Sequence, residues 1–258
     1  IHSDIACDLC YNYNFFVSFI FTKIWLHYIK KFDAVVVISD QLKKIYECKL
    51  KSISRVYNGI DITYRPDKND PSIIAQINKF RDLNYKIIGS YAYLTRIKGL
   101  EQLIKVLEKR KDLAVVIIGE GEAKNELIEL SRTLNVIDRT LFLDYLPTPY
   151  NYLSLFDVYA MCSRSEGFGL AAVEATLMQT PVVCSNISIF KEIFDDTKVS
   201  FFELDNISSL LESINIAIST IGKLKAKVAL NYSLNNFSGY KMASNYLDIY
   251  SNLLNGKI

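Results

Sequence analysis

Residues 86–122, KIIGSYAYLTRIKGLEQLIKVLEKRKDLAVVIIGEGE, decide the fold of this chain. KIIGSY reads as a strand, and LAVVIIG as a second, uninterrupted apolar strand. Between them, Gly99 to Lys109 spaces its apolar residues at helical intervals. A strand that is apolar throughout must be covered on both faces, which is the condition of a parallel sheet. Strand, helix and strand in this order make one βαβ unit.

The alternation continues along the chain. Ala123–Leu134 is polar and amphipathic, and TLFLDYL, DVYAMCS and PVVCS follow as strands. Helical stretches at Tyr150–Phe156 and Gly169–Gln179 separate them. VSFFEL is a later strand, with helical runs after Asn206 and through Tyr240–Leu254. This is the pattern of a doubly wound, Rossmann-like α/β domain. A smaller set precedes it: helix Phe15–Lys31, strand AVVVIS (Ala34–Ser39), helix Asp40–Cys48, strand SRVY, and a turn at NGID. Because a βαβ unit takes about 30 residues, this set amounts to about half a domain. The expected boundaries are a partial domain over 1–64 and a polar linker with a surface helix over 65–85. A complete domain over 86–235 follows, then a closing helix over 236–258 that packs back toward the first.

Composition excludes several functions. Half of the 258 residues are apolar and 22% are charged, which is globular rather than disordered. Thirty basic residues against 28 acidic ones are too balanced for wholesale nucleic-acid binding. Five cysteines, an odd number in a chain of this size, argue against a disulfide scaffold. Cys7 and Cys10 form a CDLC pair with no second pair or histidine cluster to complete a zinc site. The chain opens IHSDIACDLC, without signal-peptide regions, and reads as a fragment of a longer protein. FFVSFIFTKIWL (Phe15–Leu26) is too short to span a bilayer and reads first as a buried helix. With Lys23, Lys30 and Lys31 beside Trp25 and the phenylalanines, a membrane-surface helix stays open as the second reading.

In a doubly wound sheet the ligand sits at the carboxyl ends of the strands. Three strand ends here carry suggestive residues: Arg96 and Lys98 after KIIGSY, the turn GEGE after LAVVIIG, and RSEGFGLAAVE after DVYAMCS. Two cations and a helix start converging on one edge suit a diphosphate. Glu174, in the second turn of the helix beginning near Gly169, suits the paired hydroxyls of a ribose. Glu166 lies just before that helix, within reach of what hangs beyond the phosphate. On spacing alone, both glutamates serve equally well as surface residues favoured by the helix dipole.

SRSEGFGLAAVEATLMQTPVV resembles the E-x7-E signature of the family-four retaining glycosyltransferases of the two-Rossmann-domain, GT-B fold. Other pieces resemble the same family in order: IHSDI, VVVISDQLKKIY with VYNGID, IKGLEQLI, VVIIGEGE and FSGYKMASNYLDIYSNLL. The resemblance implies one complete Rossmann-like donor domain plus the carboxyl-terminal part of a second, acceptor-side domain. Carried over residue by residue, it implies that Lys98 neutralises the donor diphosphate and Glu174 binds the ribose. It implies likewise that Glu166, with the amides of Phe168, Gly169 and Leu170, contacts donor sugar and phosphate. His2 resembles the acceptor-domain histidine that faces the transferred sugar; without the resemblance it is equally a histidine at a strand end.

Two residues depart from the family's pattern. Tyr93 stands where the phosphate arginine is usual, so Arg96 is the candidate substitute. Gln179 stands where the helix usually ends in glycine, at a cost of roughly 1 kcal/mol for a left-handed cap, so a different cap is one outcome. The implied activity moves a sugar with retention from a UDP- or GDP-linked donor to a glycan or lipid-linked acceptor. The implied setting is bacterial surface polysaccharide synthesis, in the cytoplasm or at the inner membrane face. The absence of a D-x-D motif agrees with a diphosphate neutralised by protein, without an essential metal or cofactor. Frontside attack needs no protein nucleophile, so Glu166 reads as orienting the sugar. A sugar-nucleotide epimerase remains a rival, as does an inactive nucleotide-sugar binding module. A phosphorylase would need a pyridoxal-phosphate lysine context, and none is found.

Overall fold

The structure, a computed structural model, describes all residues except 63, 64, 66, 68 and 256–258. Parts of the expected linker, the last residues of the expected first domain and the end of the expected closing helix therefore lie outside the described residues.

The chain divides into two compact units. The larger comprises Ile62–Ser165 and Leu170–Leu234. Its six strands are β3 (Lys86–Tyr91), β4 (Leu113–Ile118), β5 (Thr140–Leu143), β6 (Val158–Met161), β7 (Val182–Ser185) and β8 (Ser200–Phe202). They form one all-parallel sheet in the order β5-β4-β3-β6-β7-β8. This is the doubly wound 3-2-1-4-5-6 arrangement, which reverses direction between β3 and β6. Every residue of β4 is buried, and each such Val or Ile contributes about 1.5–3 kcal/mol of transfer free energy. The helices of this unit are α4 (Pro71–Asp82), α5 (Glu101–Lys109), α6 (Lys124–Thr133), α7 (Leu170–Leu177), α8 (Ser188–Ile193), α9 (Ile207–Ile218) and nearly all of α10 (Thr220–Asn236). Helix α5 buries Leu103, Ile104, Val106 and Leu107 on the face that its spacing specifies.

One local expectation is refined and two change. Residues Pro149–Leu155 form a 3-10 helix rather than an α-helix, started by Pro149 and closed by short-range bonds such as Asn151 N–H to Thr148 O. TLFLDYL leaves the sheet after Leu143, so Asp144–Leu146 form the rim beyond the strand. The short α8 was not anticipated; Ile189, Phe190 and Ile193 are its buried side.

The other unit comprises Ile1–Asp61, Glu166–Gly169 and Asn235–Ile258. It contains α1 (Ile5–Asn12), α2 (Phe15–Ile29), β1 (Val35–Val37), α3 (Asp40–Tyr46), β2 (Ile53–Arg55) and α11 (Gly239–Leu254). Strands β1 and β2 pair in parallel. Asp4 caps α1 by accepting from the Ala6 and Cys7 amides. A three-ring cluster of Tyr57, Phe168 and Phe237, with centroids 5.6–5.9 Å apart, holds this unit together. The Asp61 carboxylate accepts from the Gly239 amide at 3.0 Å, at the start of α11.

Helix α2 is not the buried helix of its first reading. Its inward side packs through Ser18, whose hydroxyl donates to the Ala6 carbonyl at 2.7 Å, and through Trp25, which lies 5.5 Å from the Tyr46 ring. Phe15, Phe16, Phe19, Ile20, Phe21, Ile24 and Tyr28 are all exposed.

Candidate functional site

The sheet of the larger unit reverses between β3 and β6, and ligands of such sheets sit outside the carboxyl ends at that reversal. β3 ends at Tyr91. Its phenol donates to Glu174 Oε2 at 2.5 Å, joining the end of the strand to the second turn of α7. Tyr91 is buried, and burial, followed by the neighbouring Tyr159 and Glu174, pushes its pKa well up. It therefore stays a donor. Burial also raises Glu174 above the ordinary carboxylate value of 4.5, while the phenol bond pulls it back.

Beside Tyr91 opens a cavity of about 360 Å³ at the carboxyl ends of β3, β4 and β5. Tyr93, Gly119, Glu120, Tyr145 and Pro147 contribute to its walls. The size is that of a small-molecule pocket. Its rim is stitched by backbone bonds: Leu94 N–H to Glu120 O at 2.7 Å, Ala123 N–H to Leu94 O at 2.9 Å, and Gly119 N–H to Leu143 O at 2.9 Å.

Arg96 and Lys98 sit together in a 3-10 turn, Arg96–Lys98, just past β3. Gly99 ends the turn at φ +62°, and a Cβ there would lie 2.2 Å from the Cys162 carbonyl oxygen. Only glycine fits. The guanidinium of Arg96 makes a two-pronged ion pair with Glu126 of α6, Nη2 to Oε1 at 2.6 Å and Nε to Oε2 at 3.1 Å. Leu170 opens α7 in the same unit and is partly exposed.

The remaining expected residues, His2, Glu166, Phe168 and Gly169, belong to the smaller unit. The structure brings the first two into one neighbourhood: a Cβ on Gly167 would lie 2.1 Å from the His2 carbonyl oxygen. The imidazole of His2 is exposed and Glu166 is half-buried. Phe168 is buried, and its ring packs in the three-ring cluster, so its side chain is structural.

The helix cap at Gln179 is left-handed all the same, with φ +56°. Thr180 N–H donates to Ala175 O and Gln179 N–H to Thr176 O, both at 3.0 Å, which is the Schellman arrangement. Glutamine accepts the strain instead of changing the cap. Cys7 and Cys10 lie exposed on α1, and burial and nearby Asp4 and Asp8 raise the Cys7 thiol. Among the described residues no group of three or more His, Cys, Asp or Glu is placed to hold a metal ion.

Four residues of this region were not singled out in the sequence. Tyr91 and Tyr145 are strand-end tyrosines with no distinguishing spacing. Gln102 carries a usable signal, as the polar residue on the buried stripe of α5. Arg164 stands inside SRSEG, two residues before Glu166.

A parallel sheet in this order, with a cationic turn and a carboxylate at its reversal and a pocket at the ends of β3, β4 and β5, fits the donor domain of the GT-B glycosyltransferases. The chain belongs to the family described as glycosyl transferases group 1, which residues 73–229 match. It is 33% identical over 260 residues to the O-antigen biosynthesis glycosyltransferase WclY of Escherichia coli, across 98% of this chain and 71% of that protein. It is 29% identical over 178 residues to the N-acetylgalactosamine-N,N'-diacetylbacillosaminyl-diphospho-undecaprenol 4-alpha-N-acetylgalactosaminyltransferase of Campylobacter jejuni, across 68% of this chain and 47% of that one. Among solved structures, Anabaena HepE in complex with UDP and glucose matches with a TM-score of 0.78 at 19% identity. That match covers 89% of this chain and 66% of HepE and is a likeness of fold.

Proposed function

We propose that the chain transfers a sugar, with retention of anomeric configuration, from a UDP- or GDP-linked donor to a glycan or lipid-linked acceptor of a bacterial surface polysaccharide. The observation that carries this reading is the Tyr91–Glu174 bond at the sheet reversal, with the cavity at the carboxyl ends of β3, β4 and β5 opening beside Tyr91. The base enters the cavity against the tyrosine walls, and the ribose hydroxyls donate to the Glu174 carboxylate. The diphosphate lies over the start of α7 and the turn that carries Lys98, with Arg96 swinging across to join them.

In the reaction the acceptor oxygen bonds to the sugar's anomeric carbon as the bond to the diphosphate oxygen breaks. The acceptor's proton leaves with the departing diphosphate. Charge grows on that leaving group, and Lys98 and the amides near Leu170 stabilise it there. Glu166 and His2 orient the sugar, and no covalent sugar–enzyme intermediate is needed. We expect no dependence on a metal ion, which chelation before assay tests.

Helix α2 supports a further part of the proposal, a peripheral contact with an anionic membrane face where lipid-linked acceptors reside. Its exposed face combines Phe16, Phe19, Ile20 and Ile24 with Lys23, whose Nζ lies 4.1 Å from the Phe19 ring centroid. Lys30 and Lys31 follow, and the helix carries no acidic residue. That composition suits a helix lying in a lipid interface. Among the described residues no helix is long and apolar enough to cross a membrane.

Calorimetry with UDP, GDP and their sugars tests the donor site on the unaltered chain, Glu174→Ala and Lys98→Ala. Nucleotide binding that each substitution weakens is the expected result. No binding at all, or binding indifferent to both substitutions, removes the donor-site assignment.

A further inference from the structure

Arg164 has no part in the donor reading above, yet its side chain is among the most committed at the sheet reversal. It lies just past the end of β6. Its Nη1 donates to the Arg96 carbonyl at 2.8 Å, and its own amide donates to the Ile97 carbonyl at 2.8 Å. One residue thus grips two successive carbonyls of the turn that carries Lys98. Nη2 donates to Glu101 Oε1 at 2.6 Å and pairs with Asp205, so two carboxylates anchor the guanidinium from behind.

Gln102 holds the same turn from beneath. It is 1% exposed. Its Nε2 donates to the Gly99 and Cys162 carbonyls at 3.2 Å each, and its Oε1 accepts the Asp205 amide at 2.8 Å. A three-residue 3-10 turn has poor hydrogen-bond geometry of its own. Its shape therefore depends on these outside bonds, and bonds to a charged donor are the stronger ones. With two carboxylates and a backbone carbonyl on it, Arg164 is already spoken for and acts on the turn instead of on a ligand.

We propose that Arg164 is a positioning residue which, through the Arg96–Gly99 turn, fixes Lys98 against the donor diphosphate. The inference rests on the donor reading, and it narrows it. Affinity for the diphosphate part of the donor depends on Arg164, and affinity for the nucleoside part does not.

The experiment is calorimetry of UDP, GDP and the matching nucleosides on the unaltered chain, Arg164→Ala, Arg164→Lys, Lys98→Ala and the Arg164→Ala/Lys98→Ala double variant. Losing a charged hydrogen bond of this kind predicts about a ten-fold or greater weakening of diphosphate binding in Arg164→Ala. Arg164→Lys, which can reach one carbonyl but not fork, recovers part of it. Nucleoside binding stays within about two-fold, and in the double variant the second substitution adds little, because both act on one contact. Circular dichroism and melting confirm folding. If Arg164→Ala does not fold, Asp205→Asn, which loosens one anchor, takes its place with the same pattern expected in weaker form. Unchanged diphosphate affinity, equal loss for nucleoside and diphosphate, or strict additivity with Lys98→Ala overturns the inference and leaves the donor reading standing. An unaltered chain that binds neither UDP nor GDP overturns the donor reading itself.

Discussion

The phenol of Tyr91 and the carboxylate of Glu174 are 83 positions apart in sequence and share a 2.5 Å hydrogen bond. Burial raises both groups, so the tyrosine stays protonated while the glutamate is held nearer to neutrality than an exposed one. An ionised carboxylate has about four acceptor positions, so the phenol leaves capacity for two ribose hydroxyls. A protonated carboxyl would have less capacity and would bring a competing proton.

From this follows a pH dependence. Because the Glu174 pKa is raised above 4.5, nucleotide affinity falls on acidification before an ordinary glutamate would titrate. Tyr91→Phe removes the bond that favours the charged form, so the acid limb moves to still higher pH. At neutral pH the same substitution weakens UDP or GDP binding by about 5- to 30-fold, the equivalent of about 1–2 kcal/mol. Calorimetric titration between pH 8 and pH 5 checks both. Superimposable acid limbs for the two proteins would exclude this role for the pair.

Arg96 and Glu126 supply a second prediction. Their ion pair is exposed, with side chains 74% and 56% accessible, and such pairs contribute about 0.2–1 kcal/mol. Phosphate oxygens offer Arg96 stronger bonds, so a bound diphosphate draws it from Glu126. Glu126→Ala should then tighten nucleotide binding up to about five-fold by removing the competitor. Arg96→Ala should weaken it. If Arg96→Ala binds UDP and GDP as the unaltered chain does, Arg96 does not stand in for the arginine replaced by Tyr93.

How much was legible follows from the range of each interaction. β3, α5 and β4 could be read because continuous apolar strands and helical spacing are local signals. Glu174 was singled out by the resemblance of its stretch to the E-x7-E signature, since its spacing from Glu166 alone suits a surface glutamate equally well. The helical stretch after Pro149 could be read from the composition of NYLSLF, but its tighter 3-10 winding is decided by backbone bonds that composition does not show. Tyr91 and Arg164 were invisible for another reason. Each acquires its role from groups 60 to 80 or more positions away, Glu174 in one case and Glu101 and Arg96 in the other. α2 was misread because hydrophobicity alone does not say which of its faces meets the other helices.

A stability prediction follows from the α7 cap. Gln179 holds a left-handed conformation with φ +56°, which costs a residue with a Cβ roughly 1 kcal/mol that glycine avoids. Gln179→Gly keeps both cap bonds, which are backbone to backbone. It should raise the melting temperature by about 2–4 °C, less whatever the added freedom of the unfolded chain takes back. Nucleotide affinity should not move. A lower melting temperature would mean that the glutamine side chain contributes more than its backbone strain costs.

The exposed face of α2 is tested with vesicles. Phe16 and Phe19, 76% and 51% exposed, would each gain about 1.5–3 kcal/mol on entering the acyl boundary. Phe16→Ser/Phe19→Ser should therefore lower partitioning into phosphatidylglycerol-rich vesicles by ten-fold or more. The lysines give the contact its preference for anionic lipid, so binding should weaken as salt shortens the screening length. It should also be weaker on pure phosphatidylcholine. Both phenylalanines lie outside the larger unit, so UDP or GDP affinity should be the same in the double variant. Failure to co-sediment with anionic vesicles, or co-sedimentation indifferent to the two substitutions, would mean that the face serves something other than a lipid surface.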